Sequence, residues 1–333
     1  MKSSLSTTFA ASALALLSAC GGGGDDRGDP HGPTPVAITS TNQNDVVRAS
    51  VDAGLSVSLT QGSVGGVTPA GVATRVHALD AVLRRAVATA QVQRKGIASV
   101  SAHPAAASSD TQPCSVSGTM TVTLDDRDGN SVISNGDVVT ASFAQCKDSA
   151  TQSINGAIAV TLTGTPTATQ FAANANFQNI AVTDNAVTST ISGNVAVTEN
   201  DMPTVTQTTL TVGSGGLTAT TASTGYNDSV SFASGFVIHS DEASSGASVS
   251  VSLSGTMTAQ SVGGSVTIAT PQALVQASTD NYPGAGQIVV TGASGSQVRA
   301  TVLDATQVRL ELDANGDGTY ESTSTVAWTA LIP

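Results

Sequence analysis

The chain has 333 residues, with 12 Lys and Arg against 24 Asp and Glu and a net charge of −12. So acidic a chain does not track phosphate backbones, which excludes nucleic acid as an expected partner. Aromatics are only 3% of residues, which argues against a sugar-stacking or base-stacking site; Thr, Ser, Val, Ala and Gly abound, the composition of a pleated surface and not of a disordered chain.

The first twenty residues read as an export signal. Lys2 supplies a positive start, and a short apolar run follows from about Phe9 to Leu17. That run is too short to span a bilayer and fits a signal-peptide core. Leu17-Ser18-Ala19-Cys20 then matches the lipobox of bacterial lipoproteins. The resemblance implies cleavage before Cys20 and acylation of its thiol and new amino group, palmitate being a typical chain. Several acyl chains hold far more firmly than one. Gly21, where Asp often signals inner-membrane retention, favours the outer membrane, with the body on the periplasmic or the cell-surface face. Cleavage removes Lys2 alone among charged residues and takes the net charge to −13. The 314 residues left are enough for one large or two modest domains.

Residues 20–36 are rich in Gly, Pro and Asp and read as a flexible tether. Arg27-Gly28-Asp29 spells an integrin-binding tripeptide, too short to carry an adhesive role. Residues 37–113 read as a helical N-terminal segment and linker. Val46, Val47, Val51 and Leu55 fit one helical face, while Leu55, Val57 and Leu59 alternate as a strand would. Over about 69–95 the pattern predicts an amphipathic helix: Thr68-Pro69 opens it, and Val72, Val76, Leu79, Leu83 and Val87 share a face. Its basic end, Arg84, Arg85, Arg94 and Lys95, suits the helix dipole and reads as a solvated face before it reads as a lipid contact. Residues 98–113 read as an Ala/Ser/Pro linker.

From Cys114 to the end the period becomes two. Met120, Val122 and Leu124 oppose Thr119, Thr121 and Thr123, with Val116 and Gly118 on the apolar side. The pattern returns at Ile154, Ile158, Val160 and Leu162; at Val187, Ile191, Val195 and Val197; at Val249, Val251, Leu253 and Met257; and at Val308, Leu310 and Leu312. Apolar on one face and hydroxylic on the other predicts antiparallel strands over a single core. The fold class is therefore mainly β, an antiparallel meander, sandwich or partly open barrel over 114–333, preceded by one amphipathic helix. Ser117-Gly118-Thr119-Met120-Thr121 recurs as Ser254-Gly255-Thr256-Met257-Thr258, a faint internal similarity. Cys114 and Cys146 lie in this region; with an exported chain and no CxxC spacing, a disulfide is the expected state, ahead of free thiols or a metal pair.

Two acidic loops point to calcium, which needs six to eight hard oxygens. Asp126, Asp128, Asn130, the Val132 carbonyl, Ser134 and Asp137 occupy the ligand positions of a twelve-residue loop resembling the EF-hand type. Ser131 replaces the usual Gly at the sixth position, and the flanks read as strands. Asp313, Asn315, Asp317, the Thr319 carbonyl and Glu321 resemble the DxNxDG loops that join strands in integrin-type repeats. Asp, Asn and Gly also favour plain turns, so a polar hairpin is the competing reading.

Enzyme signals are poor: no GxSxG elbow, P-loop, HExxH or GxGxxG occurs. His239-Ser240-Asp241 holds triad residue types, but adjacent strand residues face opposite ways and cannot form a relay. His31, His77, His103 and His239 show no ligand spacing. No catalytic residue is assigned, and the balance leans away from an enzyme.

Lipobox, Ala-rich helix, a cysteine pair around a DxDxN loop, Thr-rich strands and a terminal DxNxDGxxE before Trp328 together resemble a group of proteobacterial lipoproteins of no known activity. The expectation is an outer-membrane-anchored envelope lipoprotein with a calcium-stabilised β domain in a structural or binding role. The alternatives are a periplasmic carrier holding a lipid or other apolar ligand in an open β-barrel, and a hydrolase. Expected partners are the membrane, through the lipid, and an apolar ligand or envelope protein.

Overall fold

The computed structural model describes residues 33–57, 108–130, 132–147, 149–167, 169–184, 187–223 and 226–332. Cys20, the tripeptide at 27–29, the 69–95 helix, His31, His77 and His103 lie outside them.

Among the described residues, fifteen strands form one antiparallel sheet in near-sequential order. They are β1 (Ser108–Pro113), β2 (Ser117–Asp125), β3 (Val138–Lys147), β4 (Gln152–Leu162), β5 (Gln170–Asp184), β6 (Val187–Asp201), β7 (Val205–Ser223), β8 (Tyr226–Phe232), β9 (Val237–Ala243), β10 (Ser248–Ala259), β11 (Gly264–Ala277), β12 (Ala285–Thr291), β13 (Gln297–Asp304), β14 (Gln307–Asp313) and β15 (Ser322–Ala327). The one departure from strict order is a split strand. β8 pairs with the second half of β7 and β9 with the first half, and both pair with β10. The sheet is open, ending on β1 and β15. This settles the three-way expectation in favour of the meander, without closure into a barrel.

The alternation in the sequence is the alternation in space. Met120, Val122 and Leu124, then Ile158, Val160 and Leu162, then Val195 and Val197, then Val308, Leu310 and Leu312 are all buried. The threonines between them face outward and bond one another across strands, as Thr111 does with Thr121 and Thr183 with Thr188, each at 2.9 Å. Val116 departs from the expectation: it precedes β2 in a turn and is exposed.

The sheet is creased along a line that crosses the strands. Gly118, Gly156, Gly193, Gly255 and Gly286, one each on β2, β4, β6, β10 and β12, hold inward places in the alternation at positive φ. Beside each, the neighbouring strand bulges and the register shifts. Neighbouring backbone fills the space a side chain would need: a Cβ added at any of the five would stand under 3.0 Å from it, the bulged strand at Gly118, Gly156, Gly193 and Gly286 and Phe236 of the β8–β9 connection at Gly255. Bulges and glycine kinks bend a sheet sharply, and here they recur strand after strand. The residues around them repeat too. A glycine is followed at second and fourth place by buried apolar residues: Met120 and Val122, Ile158 and Val160, Val195 and Val197, Met257 and Ala259, Ile288 and Val290.

Two expectations for the N-terminal region are corrected and one open choice is decided. The tether ends earlier than residue 36, because Pro35 pairs with Ser265 and Val36 is bonded on both sides, its N–H to Ser265 O and its carbonyl to Ala293 N. A helix, α1, occupies Gln43–Val57 and buries Val46, Val47, Ser50 and Val51. The helical reading of that stretch therefore wins over the strand. Ser108–Pro113, read as the end of a linker, is the edge strand β1, since its polar side chains give no hydrophobic alternation but its backbone pairs fully with β2. α1 packs against β10, β12, β13 and a short C-terminal helix, α2 (Trp328–Leu331). Trp328 is buried, stacks on Tyr282 at 5.9 Å between centroids and donates its indole N–H to Pro283 O and Asp304 O. Cys114 and Cys146 form the expected disulfide, which ties the β1–β2 turn to β3.

Candidate metal centres

Both acidic loops are strand-to-strand turns. The first joins β2 to β3 and the second joins β14 to β15, so they lie at opposite strand ends of the meander. The chain enters the sheet, at Val36, at the same end as the second loop.

In the first loop Asp137 is completely buried at the start of β3. Its Oδ1 accepts the Arg127 backbone N–H at 3.0 Å, and its Oδ2 accepts the Ser134 N–H at 2.8 Å. Asp126 Oδ1 accepts the Gly129 N–H, and Asp128 Oδ1 the Asn130 N–H, each at 3.0 Å. Ser134 donates its hydroxyl to Asp128 Oδ2 at 2.8 Å. Asn130 is turned inward on the loop itself, giving its amide to Asp128 and accepting the Val132 N–H. Asp126 and Asp128 thus bend the chain locally, as Asx turns do, while Asp137 ties the start of the loop to its end. The outcome is that Asp126, Asp128 and Asp137 each place an oxygen within 4.8 Å of the others. Gly129 and Gly136 take the positive φ that the turn requires. Ser131 lies outside the described residues.

The second loop repeats the scheme. Asp313 is buried at the end of β14, accepting the Gly316 N–H at 2.7 Å on Oδ1 and the Gly318 N–H at 2.8 Å on Oδ2. Asn315 Oδ1 accepts the Asp317 N–H, Asp317 Oδ1 the Thr319 N–H, and Glu321 reaches back to the Ala314 N–H at 2.9 Å. Asp313, Asp317 and Glu321 bring oxygens within 4.8 Å of one another. The Thr319 N–H, with the Asn315 amide, holds the Asp317 carboxyl below the usual carboxylate range. Gly316 rests against Ser294 and Gly295 of the turn before β13, which seats the loop on the sheet.

Three carboxylates at this spacing repel one another, and a bound cation relieves that repulsion with hard oxygen ligands. Either cluster can hold a metal ion. Of the eleven ligand positions expected from sequence, the structure converges six carboxylates and Ser134; the amides of Asn130 and Asn315 serve the turn instead. What the sequence reading missed is burial: Asp137 and Asp313, each at a strand end, are the anchored member of their set, while the others are more exposed.

Away from these loops, a polar cluster on the outer face surrounds His239. Ser240 is buried on the inner face, as the alternation required. His239 and Asp241, two residues apart, share the outer face and approach to 3.2 Å.

Comparison with protein-family models, with curated protein sequences and with solved structures finds no match for this chain.

Proposed function

We propose that the chain is an outer-membrane-anchored envelope lipoprotein whose β domain is braced by calcium at its strand-to-strand loops, in a structural or binding role. The observation that carries this reading is the convergence of three carboxylates in each of two loops, each set built around a buried aspartate. Calcium fits because every convergent side-chain donor is a hard oxygen and no His or Cys joins either set. The lipid anchor rests on the Leu17-Ser18-Ala19-Cys20 match alone. The described residues hold no helix long and apolar enough to cross a membrane. The carrier alternative draws no support from the inner face, which is filled by one continuous cluster of apolar side chains.

A thermal melt of the full chain in mild detergent tests the calcium reading, run in calcium, in magnesium and in excess chelator. A ligand that binds only the folded state raises Tm; at a hundred times Kd the gain is about 2.7 kcal/mol, or roughly 5–10 °C for a domain of this size. The expected result is a rise with calcium that falls by part in Asp126→Asn or Asp313→Asn and vanishes in the double variant. Superimposed melts would reduce both loops to ordinary turns. The anchor is tested separately: the wild type should incorporate radiolabelled palmitate and pellet with membranes, and Cys20→Ser should do neither.

A further inference from the structure

We propose that Thr209 carries an activated hydroxyl, a site for covalent acylation by activated acyl donors. Strand register makes it: Thr209 on β7 stands directly opposite His239 on β9, and Gln207 opposite Asp241. Thr209 Oγ1 lies 2.9 Å from His239 Nδ1. On the other side of the ring, His239 Nε2 lies 3.2 Å from Asp241 Oδ1. Gln207 Nε2 donates to the same carboxylate oxygen at 2.9 Å, which holds Asp241 in place.

A carboxylate accepts and cannot donate, so Asp241 selects the tautomer with the proton on Nε2. Nδ1 is then a lone pair aimed at the Thr209 hydroxyl. Nucleophile, base and a third group orienting the base are the three parts that activate a hydroxyl. The sequence hides this arrangement, because the hydroxyl comes from thirty residues away and not from neighbouring Ser240. The side chains of His239 and Asp241 are 38% and 35% exposed, so the group stands on an open sheet face. That geometry suits a single acylation by a reactive donor in solution rather than turnover of a bound substrate. In the step, Thr209 Oγ1 forms a bond to the acyl carbon and the bond from that carbon to the leaving oxygen breaks. The hydroxyl proton passes to His239 Nδ1 and then to the departing alkoxide or phenolate. His239 is the base in contact with the reacting atom; Asp241 and Gln207 position it.

p-Nitrophenyl acetate is the probe, applied to the folded full chain. The expected result is release of about one equivalent of p-nitrophenol per chain, with the acetyl mass mapped to Thr209. General-base help of this kind is worth about a hundredfold, so Thr209 should label that much faster than the unassisted sheet residue Thr211. His239→Gly should drop Thr209 to the Thr211 rate and added imidazole should restore it, a rescue that a merely structural role would not show. Asp241→Asn should slow the reaction without moving the label or Tm, and Thr209→Ser should keep it. Labelling spread evenly over hydroxyls, or a Thr209 rate indifferent to His239→Gly in a variant that still melts normally, overturns the proposal. Neither result bears on the calcium loops.

Discussion

Gly118 of β2 and Gly255 of β10 hold the same place in their strands: each faces inward at positive φ, beside a bulge in a neighbouring strand, two residues before a buried methionine. The short repeat that contains them is therefore the visible part of a crease. Its other members, Gly156, Gly193 and Gly286, keep the pattern of glycine and two apolar residues, while of the flanking serines and threonines only Ser192 before Gly193 remains. The first three follow one another at 38 and 37 residues, the length of one hairpin.

Substitution at the crease should be costly in proportion to what the Cβ meets. In Gly156→Ala the methyl runs into the Asn179 carbonyl while the backbone stays at φ +106, so a loss of about 2–4 kcal/mol is expected. Gly164→Ala is the matched control, because nothing lies within 4 Å of its added Cβ; its loss should stay under about 0.5 kcal/mol. Denaturant titration of both variants checks the contrast. Equal losses would mean that the crease is not sterically held.

Acid stability should depend on one cross-strand pair. Arg299 and Glu311 are register partners on β13 and β14, joined by two hydrogen bonds at 2.8 and 2.9 Å, with the guanidinium 4.1 Å from the Tyr320 ring centre. Arg309 Nε, at 3.5 Å from the same carboxylate, is too far to add a good bond. The Arg299 bonds hold the Glu311 carboxyl below its ordinary range despite burial, which pushes the other way. A depressed folded-state pKa contributes stability that is present above the unfolded value, near pH 4.5, and is lost as pH falls through the folded value. Arg299 stays charged throughout, so it adds no window of its own. Glu311→Gln should lower neutral-pH stability by about 1–2 kcal/mol, the Arg side being partly in solvent. The variant's Tm should also fall less steeply than wild type between about pH 5 and pH 3. Parallel acid limbs would show that other carboxylates, such as Asp304 and Asp317, control the acid limb.

The disulfide should act largely through the unfolded chain. Cys114 and Cys146 are separated by 32 residues, a loop whose closure is worth roughly 3–4 kcal/mol on the chain-entropy model. Replacing both by Ala should lower the denaturation midpoint and raise the m-value, since the freed chain exposes more surface on unfolding. An unchanged m-value with a lower midpoint would place the effect in folded-state packing instead.

The strand content, the inward set of Met120, Ile158, Val197 and Leu310, the disulfide and the two carboxylate clusters could all be read from residue order. The strands and clusters depend on facings set within a few residues, side-chain alternation along a strand or Asp and Gly in a turn, and the disulfide follows from one cysteine pair without CxxC spacing. Even there the ligand sets were only partly legible, because Asn130 and Asn315 bond their own loops. What tertiary structure alone decided lies across strands. Periodicity cannot choose between meander, sandwich and barrel, since all three bury the same alternate side chains. β1 at Ser108–Pro113 and the docking of Val36 beside Ser265 rest on backbone pairing, which leaves little mark in side-chain pattern. The crease came from glycines that look ordinary until a bulge is seen beside each. The Thr209–His239 contact needed the register of β7 against β9, and a shift of one residue would have turned both side chains to other neighbours.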